Sequence, residues 1–129
     1  MTPSNTKAHP SGRKKTICTS AVLASFGIRH SEYHYSENAG TVKSVLRRKG
    51  YSVRSRKSAL RVNTRKTTVG QLRKALRKVD GDEESRYYVG VVGHAMVLNG
   101  AGATVVDTAP RKVDRRRIVH VSIVERRAP

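Results

Sequence analysis

Two periods of apolar residues divide this chain. Near the N-terminus Ile17, Ala21, Val22, Leu23 and Ala24 are apolar on most sides of a helix. A buried helix is therefore expected over about Ile17 to Phe26, with Thr16 as N-cap and Gly27 just past its end. Val42, Val45 and Leu46 repeat at i, i+3, i+4 and predict a second helix over Val42 to Lys49, capped by Thr41 and stopped by Gly50. The third helix has the clearest pattern. Thr68-Val69-Gly70-Gln71 fits a capping box, Val69, Leu72, Ala75, Leu76 and Val79 follow at helical spacing, and Asp80-Gly81 ends the run. Arg73, Lys74, Arg77 and Lys78 take the opposite face, which reads as solvated.

Elsewhere the pattern shortens to strands. Tyr51 to Arg56 alternates and suggests a short edge strand. Apolar runs over Arg86 to Val92, His94 to Leu98, Ala103 to Asp107 and Arg117 to Val124 predict four more, and short turns make the first three antiparallel. The expected class is α+β, with N-terminal helices packed on a C-terminal antiparallel sheet. Residues 1–15 are polar and basic, interrupted by Pro3, Pro10 and Gly12, and read as a flexible arm. Residues 16–129 then form a single domain, for which 129 residues suffice.

Charge adds what periodicity does not carry. Lys and Arg number 27 against 9 Asp and Glu, a formal net charge of +18 spread along the chain. Such a field favours polyanionic partners, DNA or RNA first and an acidic protein surface second. The expected contacts are Arg54, Arg56, Lys57, Arg111, Lys112, Arg115, Arg116 and Arg117. No helix-turn-helix, zinc-finger or aromatic RNA-binding signature accompanies them, and no Gly-rich phosphate loop is present. With one Phe and no Trp the core is expected to be aliphatic. No apolar stretch reaches membrane-spanning length, so no membrane partner is expected, and the N-terminus lacks a signal-peptide apolar region. A single cysteine allows no intramolecular disulfide and suits a reducing, cytoplasmic setting.

That cysteine, Cys18, falls in the first turn of the predicted first helix, where free amide hydrogens and the helix dipole stabilise a thiolate. His94 opens an apolar run, Asp107 closes the next, and Asn99-Gly100-Ala101-Gly102 between them is a hairpin signal. A two-residue turn at Gly100-Ala101 makes Asn99 face Gly102, and counting outward pairs His94 with Asp107 on one face. A three-residue turn would instead set His94 opposite Thr108, with Asp107 on the other face. Nucleophile, base and base-orienting carboxylate are the parts of a cysteine hydrolase. The remaining histidines read as ordinary. His30 and His34 have a chelating spacing but no convincing helix or cysteine pair, His9 lies in the arm, and His120 alternates onto the outer face of the last strand. No metal or cofactor is expected.

The order of parts in Ile17-Cys18-Thr19-Ser20-Ala21-Val22-Leu23-Ala24, Val92-Gly93-His94-Ala95-Met96-Val97 and Thr104-Val105-Val106-Asp107-Thr108 resembles the papain-fold cysteine peptidases. The spacing is most similar to the bacteriocin-processing double-glycine peptidases and short phage-encoded papain-like proteins. The resemblance implies a papain-like fold, a protein or peptide substrate, Cys18 as nucleophile, His94 as general base and acid, and Asp107 as orienting residue. Asn99 is the alternative third member. It also implies a phage context, with a virion-associated protein and other virion proteins as partners. The family's glutamine before the cysteine has no counterpart, since Gln71 is the only Gln. Two functions follow: a thiol hydrolase of peptide or isopeptide bonds, or a non-catalytic basic protein that binds nucleic acid or builds a virion.

Overall fold

Alternation along the second strand shows how the molecule is layered. The computed structural model describes residues 19–32, 39–108 and 113–127. In β2 (Arg86–Val91), Tyr87, Val89 and Val91 enter one apolar cluster while Tyr88 enters another. Both faces of this strand are therefore buried, which explains why it reads as a nearly continuous apolar run. The other strands are β1 (Tyr51–Ser55), β3 (His94–Asn99), β4 (Thr104–Val106) and β5 (Ile118–Arg126). They form a five-stranded sheet in the order β1-β5-β2-β3-β4, antiparallel throughout.

The helices cover the two faces unequally. Helix α1, over residues 19–25, and α2 (Ala39–Arg48) lie on one face, where Val22, Leu23, Val42, Val45 and Leu46 share a cluster with Tyr88, Ala95 and Val97. Helix α3 (Val69–Val79) covers the other, through Leu72 and Leu76 against Tyr87, Val89, Met96 and Ile123. The chain is thus α+β as expected, but the sheet does not simply follow the helices. Strand β1 leaves α2 to add itself beside β5, and α3 crosses to the far face.

Local signals explain the element ends. Thr68 Oγ1 accepts from Gln71 N–H at 3.2 Å and Gln71 Oε1 accepts from Thr68 N–H at 2.9 Å, the reciprocal capping box. Helix α1 ends in a Schellman motif. Gly27 N–H donates to Ala24 O, Ile28 N–H donates to Leu23 O, and Gly27 takes φ 78. Helix α2 begins at Ala39, so Thr41 lies inside it rather than capping it. A one-turn 3-10 helix, His30–Glu32, sits between α1 and α2. Glu32 bonds Lys49 and the backbone of Arg29, and these bonds hold its carboxyl down at about 2.

The core is aliphatic apart from two tyrosines. Tyr87 and Tyr88 are fully buried and line no cleft. Tyr87 donates to Asp80 Oδ2 at 2.6 Å. Burial and then the Asp80 carboxylate push its hydroxyl up to about 12. No helix among the described residues is long and apolar enough to cross a membrane. The N-terminal arm, residues 1–15, lies outside the described residues, as do Arg111 and Lys112.

Candidate functional site

Four strand ends meet at one end of the sheet. In the ladder, Val91 pairs with His94 on one side and with Ile118 on the other. The Val92-Gly93 turn, with Gly93 at φ 73, reverses the chain and delivers His94 as the first residue of β3. Strand β4 runs back toward the same end and finishes at Val106, one residue before Asp107.

His94 and Asp107 meet there. His94 Nε2 and Asp107 Oδ1 are 2.6 Å apart, with the side chains only 5% and 16% exposed. At that burial water competes poorly for either group, so a short hydrogen bond fixes the imidazole. In the tautomer that carries its hydrogen on Nε2, that hydrogen is donated to the carboxylate and Nδ1 is the ring's acceptor.

The route to this pairing differs from the two-residue turn that the sequence suggests. Asn99 N–H donates to Ala103 O, so the loop is the three residues Gly100-Ala101-Gly102, with Gly102 at φ 84. That alone would turn Asp107 to the wrong face. The ladder, however, shifts between Leu98↔Thr104 and Val97↔Val106, leaving Val105 as an extra residue in β4. The bulge restores the parity. Continued by one step, the register sets Asp107 opposite Met96, diagonal to His94 and within reach of it.

Asn99 is not an alternative partner for His94. Its Oδ1 accepts from Ala101 N–H at 2.9 Å and Ala103 N–H at 3.0 Å, so its amide builds the turn. It also stands five strand residues from His94, roughly 16 Å at about 3.3 Å per residue. Cys18 lies outside the described residues. The helical residues that follow it, 19–25, bring Val22 and Leu23 into the cluster that holds Ala95, with Val106 packed against it; His94, paired with Val91, and Asp107, opposite Met96, alternate onto the other face of the sheet, the one α3 covers.

No protein-family model matches this chain, and no curated protein or solved structure matches it.

The basic residues separate into two groups. Arg54 pairs with Glu125 at 3.1 Å, and Lys57 donates to Thr64 Oγ1 at 2.8 Å. Arg56 is not a surface contact as expected: it is half-buried, with its Nε enclosed, and its charge acts on the Asp80–Tyr87 pair. Arg115, Arg116 and Arg117 are all exposed in the turn before β5.

His120 departs most from expectation. It is half-buried on the α2 face rather than outside, edge-on to Tyr88 at 4.8 Å, and its Nδ1 has no hydrogen-bond partner. Gly90, its ladder neighbour, makes the room, because a Cβ there would collide with the Nε2 edge of the imidazole. Burial first, then the charges of Lys43 and Lys57, push His120 down to about 4. Reading alternation alone missed it because the sheet is covered on both faces. Gly90 in a strand was the available signal of close packing. Among the described residues no three His, Cys, Asp or Glu side chains gather as metal ligands.

Proposed function

We propose that this protein is a papain-like cysteine hydrolase acting on peptide or isopeptide bonds, with Cys18 as nucleophile, His94 as base and acid, and Asp107 as the residue that orients His94. The observation that carries the reading is the shielded 2.6 Å contact between His94 Nε2 and Asp107 Oδ1. A carboxylate on one imidazole nitrogen sets the tautomer and supports the imidazolium that forms when the other nitrogen takes a proton.

In this mechanism the Cys18 thiolate attacks the carbonyl carbon, and the carbonyl π electrons move to oxygen. Collapse of the tetrahedral intermediate expels the amine, which takes the proton held by His94. Water then attacks the thioester and gives one proton to His94; the carbon–sulfur bond breaks, releasing the carboxylic acid and restoring the Cys18 thiolate beside protonated His94. One oxyanion donor is available in principle from the backbone amide of Cys18, and no glutamine stands nearby in sequence to add a second.

The rate of Cys18 alkylation by iodoacetamide against pH tests the pair. The expected profile rises well below the free-thiol value of about 8.5, and His94→Ala returns it to that value. Asp107→Ala gives a slower reaction at neutral pH by about tenfold or more, because the imidazole loses its fixed orientation. A thiol that titrates near 8.5 in all three proteins would overturn the reading.

The other reading of the charge, a non-catalytic nucleic-acid-binding or virion protein, has less support. Arg54, Arg56 and Lys57 are engaged within the molecule. Among the described aromatics, Tyr87 and Tyr88 are buried and Tyr51 is packed between Phe26 and Arg126, leaving no platform on which bases stack.

A further inference from the structure

Beside the His94 end of the sheet lies an open groove of about 450 Å³, lined by Arg65, Val92, Arg115, Arg116 and Arg117. Its cations come from two segments that the backbone ties together. Arg65 N–H donates to Ile118 O at 2.7 Å, Ile118 N–H donates to Thr67 O at 2.8 Å, and Val69 N–H donates to Arg116 O at 2.9 Å. Arg65 is held at φ 64, a left-handed conformation uncommon for a residue with a side chain, and these bonds maintain it. The neighbouring acid, Asp114, is already paired with Arg73 at 3.2 Å. Among the described residues none of the four groove arginines makes an ion pair. Four like charges are therefore gathered in one concavity without a counter-charge among the described residues, an arrangement that repels itself until an anion enters.

The position narrows the anion. Val92 is two residues from His94, in the turn that delivers it, and Ile118, Val91 and His94 are successive ladder neighbours. A chain lying in the groove therefore runs toward the His94–Asp107 pair. The apolar surface in the groove is Val92, 56% exposed, which suits an aliphatic side chain and offers nothing to a base face. We propose that this groove binds an acidic stretch of a polypeptide substrate, carboxylates on the arginines and an aliphatic side chain on Val92, leading the scissile bond to His94. The proposal rests on the hydrolase reading.

Fluorescence anisotropy of full-length Cys18→Ala with a labelled peptide of alternating Glu and Leu tests it. A variant carrying Arg115→Gln, Arg116→Gln and Arg117→Gln is compared with a charge-matched variant carrying Lys74→Gln, Arg77→Gln and Lys78→Gln on the exposed face of α3. The groove variant is expected to bind about tenfold more weakly and the matched variant nearly as the parent, since local contacts rather than net charge hold the peptide. Val92→Asp, a single exposed change, is expected to weaken binding in the same direction. Equal loss in both triple variants would overturn the proposal, because only the overall field would then be at work. So would single-stranded DNA that binds more tightly than the peptide and is lost in the groove variant. Peptide binding decides the groove, and the alkylation profile of the unmodified protein decides the catalytic reading, so the two fail separately.

Discussion

His94 and His120 show how one side-chain type takes two roles from its surroundings. His94 has a carboxylate at 2.6 Å, whereas His120 has an aromatic edge, a glycine and two lysine charges. The His120 ring is neutral in the fold, held down to about 4, while the unfolded chain protonates it near 6.5. Because the folded value is the lower one, its contribution to stability is complete above about 6.5 and is lost as pH falls from there through about 4. That difference corresponds to at most about 3 kcal/mol. Urea unfolding is expected to show stability falling across this window in the parent protein and falling less in His120→Leu. Identical pH curves would show that His120 is not buried in neutral form. At this scale the chemistry-bearing pair His94 and Asp107 was legible from its place at strand ends, while His120 was not, since alternation does not say whether a face is covered.

The β3–β4 hairpin carries the element-scale result. A three-residue loop and a one-residue bulge each reverse the facing of later residues, and together they cancel. The Gly-rich turn was legible, but its length and the Val105 bulge were not, because both depend on what the hairpin packs against. Gly102 shows the constraint. At φ 84, a Cβ there would press on the Arg73 carbonyl of α3, and Arg73 Nη1 donates to Gly102 O at 2.8 Å. Gly102→Ala is therefore expected to lower stability by about 2 kcal/mol or more, combining left-handed strain with a backbone clash. Thermal unfolding measures that loss. The Cys18 alkylation rate is also expected to drop, because the same turn sets the register that brings Asp107 to His94.

Across the whole molecule, the sheet has an aliphatic cluster on each face. Leu46 and Leu72, both fully buried, sit in opposite clusters. Leu46→Ala and Leu72→Ala are each expected to cost about 2–5 kcal/mol. Their effects should add, as the sheet separates them and they share no cluster. Denaturant unfolding of the single and double variants checks this, and a non-additive double would mean that the two faces are coupled through the strands. Net charge acts at the same scale but without locating a site. The +18 excess pointed to anions in general, and only the fold gathered Arg65 with Arg115, Arg116 and Arg117 into one groove.

The sequence by itself determined the α+β class, the capping box of α3, the glycine end of α1 and the identities of the strands. Each of these depends on residues a few positions apart, through hydrogen-bonding caps and side-chain periods of 3.6 and 2. It also put His94 and Asp107 at the ends of neighbouring strands. The tertiary structure decided the strand order, with β1 carried to the far edge, the burial of both sheet faces, the burial of His120 and the gathering of the arginines. Those features depend on contacts between residues distant along the chain, where the cost of closing loops and the gain of covering apolar surface are settled together and no local pattern records the outcome.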